Sequence, residues 1–127
     1  MPLIEFKEVT KEYEPGFKAL DEVSFKINAG EFVFIVGASG VGKSTIVKLM
    51  IKEERPSSGE IIFDGTDISD LESDGTSDLR RRIGVVFQDF KLLPSRDVFE
   101  NVAIALEVVG ASESEIRNIV PNVLSMV

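Results

Sequence analysis

Gly37-Ala38-Ser39-Gly40-Val41-Gly42-Lys43-Ser44 matches the pattern G-x-x-x-x-G-K-[ST] at every fixed position. Three glycines let the backbone coil until successive N–H groups converge on one point, where phosphate oxygens meet no Cβ atom. Lys43 then offers a mobile ammonium to the outer phosphates, and the Ser44 hydroxyl is placed to ligate Mg²⁺. The flanks supply the context that this loop requires. Glu31-Phe32-Val33-Phe34-Ile35-Val36 is a nearly continuous apolar run, which predicts a parallel strand buried on both faces. Behind the loop, Ile46, Val47, Leu49 and Met50 recur at helical spacing, so the loop sits between a strand and a helix whose positive dipole end faces the anion.

Upstream, Ile4 and Phe6 alternate with charged residues, as do Val23, Phe25 and Ile27 with polar ones. These predict two antiparallel strands joined near Glu14-Pro15-Gly16 and turning at Asn28-Ala29-Gly30 into the loop-bearing strand. Downstream, Arg55-Pro56-Ser57-Ser58-Gly59 breaks the chain, Glu60-Ile61-Ile62-Phe63 predicts a short strand, and Asp64-Gly65 the next turn. Residues 66–77, rich in Asp, Ser and Thr, are expected as an exposed acidic loop, with Asp78 capping a short helix through Arg82. Ile83-Gly84-Val85-Val86-Phe87 predicts another buried strand. Asp97 is the expected N-cap of a helix from Val98 to about Val109, and Ser112-x-x-Glu115 that of a second, in which Pro121 predicts a kink or break.

The chain of 127 residues is 43% hydrophobic and 28% charged, a balance suited to one modest globular core. No apolar run reaches the roughly 20 residues of a membrane span, and the first residues lack the pattern of a signal peptide. The absence of cysteine fits a reducing compartment without demanding one, and the cytoplasm is the default expectation. A net charge of −8 opposes binding to a nucleic-acid backbone. The one basic cluster, Arg80-Arg81-Arg82, reads as a solvated helix face or as partners for acids such as Asp74 and Asp78, with a DNA contact as the weaker alternative.

Four features together resemble the nucleotide-binding domain of an ABC transporter: Tyr13 ahead of Pro15-Gly16, the loop Gly37–Thr45, Pro56-Ser57-Ser58-Gly59-Glu60 before Asp64-Gly65, and Val85-Val86-Phe87-Gln88. The stretches around Gly30–Phe34 and from Leu79 to Gly110 are similar to the cell-division branch of that family, the FtsE-like ATP-binding proteins, which act with an FtsX-like integral membrane partner. The resemblance implies a P-loop NTPase core of α/β class, with parallel strands and an N-terminal antiparallel β subdomain, of which these residues form the N-terminal portion. On that basis residues 1–30 hold the antiparallel strands, 31–55 the phosphate-loop βα unit, 56–82 a strand and the acidic loop, and 83–127 the glutamine-bearing strand and a helical segment.

By the same resemblance, Tyr13 stacks on adenine; the rival is a tyrosine that pins the turn by packing. Gly37, Ala38, Ser39, Gly40, Val41, Gly42, Lys43, Ser44 and Thr45 hold ATP, and Ser44 and Gln88 ligate Mg²⁺. Lys43 and Gln88 take part in catalysis; an exposed turn glutamine is the alternative for the latter. Asp89-Phe90-Lys91-Leu92-Leu93-Pro94 begins the surface for the membrane partner, unless its apolar members are ordinary core. The family's signature segment, catalytic glutamate and switch histidine fall later in such chains, and this sequence contains no histidine. The expectation is therefore a peripheral subunit at the inner face of the membrane, a homodimer in its full-length form, with the 127 residues alone binding Mg·ATP without turning it over. Another ABC ATPase, serving lipoprotein release or amino-acid import, and a non-hydrolysing interaction module are the alternatives.

Overall fold

A computed structural model describes residues 1–38 and 42–127, which fall into two compact units, Met1–Gly84 and Val85–Val127. The first is built on a four-stranded antiparallel sheet of order β2-β1-β3-β4, from β1 (Ile4–Glu14), β2 (Phe17–Ile27), β3 (Ser58–Phe63) and β4 (Thr66–Asp67). Two of the three expected turns close hairpins. Glu14 pairs with Phe17 across Pro15-Gly16, where Gly16 has φ 84°. Phe63 pairs with Thr66 across Asp64 and Gly65, whose φ values of 49° and 78° suit the tight turn that matches strand twist.

A β-bulge alters the alternation of β1. Ile4 and Phe6 are buried in the expected phase, but Glu8 takes φ 48° and stays exposed, so Val9 and not Glu8 faces inward. Gly59 of β3 lies against this bulge, and a Cβ there would come within 2.5 Å of the Glu8 carbonyl oxygen. The core joins Ile4, Phe6, Val9, Leu20, Ile61 and Phe63 from the sheet to Ile46 and Leu49 of α1 (Lys43–Met50). Phe6 and Phe25 stack across the β1–β2 pair with centroids 4.4 Å apart.

Helix α2 (Ser73–Arg81) corrects the reading of residues 66–77 as loop: its N-cap is Glu72, not Asp78. Leu79 enters the core, and Arg80 forks onto the carbonyls of Ile51 (2.8 Å from Nε) and Lys52 (3.1 Å from Nη2). The rest of the basic cluster is paired, Arg81 with Asp78 at 3.2 Å and Arg82 with Asp64 at 2.6 Å.

Two further corrections concern parallel strands. Residues 31–38 and 83–87 form none, although the mixed α/β class and the N-terminal antiparallel sheet stand. A parallel strand is held by a ladder to its neighbours, and no described strand pairs with either run. Phe32, Phe34 and Val36 consequently stay 83%, 79% and 86% exposed. The turn before them is fixed: Glu31 accepts from the N–H and Nδ2 of Asn28, which holds its carboxyl below the ordinary glutamate value.

In the second unit, α3 (Val98–Val108) and α4 (Glu113–Ser125) carry the two expected capping boxes, Asp97 with Glu100 and Ser112 with Glu115. Ala103 and Val120 are buried. Asn101 binds the preceding turn, accepting from Leu93 N–H and donating to the carbonyls of Leu93, Arg96 and Asp97. The break expected at Pro121 does not occur, and α4 runs through it. That part of the helix is exposed, so the Arg117 carbonyl that proline leaves without a donor can face water, and Asn122 Nδ2 donates to the next carbonyl, that of Asn118.

Candidate functional site

Gly42 is the N-cap of α1, with φ 91° and ψ 5°. A Cβ at this position would lie 2.3 Å from the Ala19 carbonyl oxygen and 2.9 Å from Leu20 Cδ2. The chain can therefore enter α1 only through a glycine, because β2 passes too close for any side chain. Lys43 follows as the first helical residue. Its Nζ donates to the Gly37 carbonyl and, at 3.1 Å, to that of Ala38, so the ammonium is held against these two carbonyls. No acidic residue occupies the first turn of α1, which leaves its positive dipole end unopposed. Ser39, Gly40 and Val41 lie outside the described residues.

The Ser44 side chain is exposed, whereas Thr45 turns inward and is buried. Thr45 Oγ1 lies 3.2 Å from Tyr13 Oη at the end of β1. Tyr13 as a residue remains 42% exposed, with Lys11 Nζ 5.1 Å from its ring centroid. Both readings of Tyr13 thus have a physical basis: its hydroxyl pins the first turn of α1, and its ring presents an open aromatic surface.

The far end of α1 is anchored by a residue that motif reading passes over. Lys52, at φ 55°, donates from Nζ to the carbonyls of Ile68 (2.8 Å), Ser69 (2.8 Å) and Leu71 (3.3 Å). Burial first, then neighbouring Arg55, holds its pKa below the ordinary lysine value, against the pull of Asp70 and Asp67. Lys52→Met should lower stability by about 1–2 kcal/mol, since three carbonyls lose one charged donor; chemical denaturation of the variant measures it.

Gln88 belongs to the second unit, in an exposed turn following Phe87. Phe90 and Leu92 are 73% and 68% exposed, so these two are not core. Phe90 and Lys91 both have positive φ, 60° and 52°, and Lys91 pairs with Asp89 at 3.2 Å. Among the described residues no cluster of three or more Asp, Glu, His or Cys could hold a metal. The Ser44 hydroxyl, exposed in the first unit, is a neutral oxygen of the kind that suits Mg²⁺, which keeps waters and takes substrate phosphate as ligand.

A sequence profile described as ABC transporter matches residues 20–126. The chain belongs to the ABC transporter family. Its relatives include the cell division ATP-binding protein FtsE of Bacillus subtilis, 50% identical over 98% of this chain and 55% of the relative. FtsE of Escherichia coli strain K12 is 46% identical over 98% of this chain and 56% of its own length. Among solved structures, a dimeric post-hydrolysis state of the ATP-binding cassette MJ0796 bound to ADP and Pi superposes with TM-score 0.87 at 37% identity, covering 97% of this chain and 56% of that one. CbiO1 from Clostridium perfringens, part of the ABC transporter complex CbiONQ, superposes with TM-score 0.81 at 35% identity, over 98% of this chain and 49% of its own. The chain therefore spans about half the length of these ABC relatives.

Proposed function

We propose that this chain is the phosphate-loop portion of an FtsE-like ABC ATPase, and that it binds ATP with Mg²⁺ through Gly37–Thr45. The observation that carries the reading is the pairing of Gly42, which alone fits against the Ala19 carbonyl, with Lys43 opening the helix directly after it. Relatives named as FtsE at 50% and 46% identity support the branch. In this reading backbone N–H groups of the loop cradle the phosphates, Lys43 offsets charge at the γ-phosphoryl group, and Tyr13 receives the adenine. Ser44 would hold Mg²⁺ together with the nucleotide, and the ion would supply electrostatic stabilisation of the transferring phosphoryl group. The full-length protein would act as a homodimer, in the cytoplasm at the inner face of the membrane. There it would couple phosphoanhydride hydrolysis to an FtsX-like integral membrane partner in cell division, docking it through Asp89–Pro94.

Calorimetric titration of the chain with Mg·ATP tests the reading, with saturable one-to-one binding expected. Absence of heat and of competition by ADP would overturn it. In this reading these 127 residues do not turn ATP over alone, and single-turnover incubation is expected to give γ-phosphate release at background.

A further inference from the structure

Two contacts tie β1 to the helix that follows the phosphate loop, one at each end. At the start, Tyr13 Oη meets Thr45 Oγ1 at 3.2 Å, and Thr45 is 7% exposed. Past the end, Lys11 Nζ pairs with Glu54 Oε2 at 3.2 Å, with the Lys11 side chain 13% exposed. The same ammonium stands 5.1 Å from the Tyr13 ring centroid, so the two contacts share one aromatic ring.

We propose that Lys11 and Tyr13 are positioning residues for the first turn of α1, coupling the base platform to the phosphate-facing N–H groups of that turn; this rests on the nucleotide-binding reading above. Thr45 stands directly after Ser44 in the first turn of α1, whose N–H groups point toward the anion. A hydrogen bond from outside the helix to its buried hydroxyl limits rotation of that turn. Lys11 sets the tilt of the ring that makes the bond, through cation–π attraction, and is itself held by a carboxylate beyond the end of α1. A tyrosine that only stacked a base would have no effect on a ligand without a base.

The test therefore uses inorganic tripolyphosphate beside ATP, each titrated with Mg²⁺ into the full chain. Tyr13→Phe keeps the ring and removes the hydroxyl, Thr45→Val removes its partner, and Thr45→Ser restores it. Tyr13→Phe and Thr45→Val are expected to weaken both ligands by the same factor, about three- to ten-fold, with Thr45→Ser reversing most of the loss seen in Thr45→Val. Lys11→Met is expected to weaken both by about two- to five-fold. Unchanged tripolyphosphate affinity in Tyr13→Phe overturns the coupling while leaving the nucleotide site standing, even if ATP binding falls. An unsubstituted chain that binds neither ligand overturns the nucleotide reading on which the coupling rests. Should Thr45→Val not fold, Tyr13→Phe decides alone.

Discussion

Gly42→Ala is expected to cost about 3 kcal/mol or more, the sum of left-handed strain and a collision with backbone that cannot move alone. The new methyl would lie 2.3 Å from the Ala19 carbonyl oxygen, in a strand whose residues are paired to β1, so relief requires β2 or the start of α1 to shift. The melting temperature should fall by at least about 12 °C for a unit of this size. Gly30→Ala is the control. Gly30 has φ 82°, nearly the same conformation, yet nothing within 4 Å of its hypothetical Cβ, so that variant carries the conformational cost without the collision. If the two variants melt together, close approach to β2 is not what demands glycine at position 42. Should Gly42→Ala also retain Mg·ATP affinity, the loop geometry itself would not be what binds phosphate.

Lys43→Ala separates binding from folding. Among the described residues the side chain donates to the exposed carbonyls of Gly37 and Ala38 alone, so stability should change by less than about 0.5 kcal/mol. Loss of a charged donor to phosphate should nonetheless weaken Mg·ATP by about ten- to a hundred-fold. Higher salt should narrow the difference, because part of the attraction is screened. Equal affinity in the variant and the parent chain, measured by titration, would remove Lys43 from the site.

Turns and caps are legible in the sequence because their chemistry is local. Pro15-Gly16 and Asp64-Gly65 close two-residue hairpins, and Asp97 and Ser112 start α3 and α4, because these residues act within three or four positions of themselves. The loop-to-helix junction at Gly42 and Lys43 is equally legible, its spacing being fixed by the phosphate it would hold. What escapes such a reading depends on distant partners. Helix α2 forms from Asp, Ser and Thr, poor helix formers, since Leu79 finds the core and Arg80 reaches carbonyls 28 and 29 residues away. The Glu8 bulge answers to Gly59 of another strand. Lys11 and Lys52 look like ordinary surface lysines until their carboxylate and carbonyl partners are seen. The apolar runs 31–36 and 83–87 show the opposite limit: composition suits a strand, but a strand exists only with a neighbour, and no described strand is one for either run.

The bare run Phe32–Val36 has a practical consequence for anyone handling this polypeptide. Phe32 and Phe34 already sit edge to face, centroids 5.0 Å apart. Such a segment, rich in β-formers and without charge or proline, is a template for sticking between molecules. Mutual repulsion from a net charge of −8 opposes that encounter, and added salt weakens the repulsion. Dilute, low-salt storage above the isoelectric point near 4.6 is where the material should stay dispersed, and acidification toward that point is where turbidity should begin.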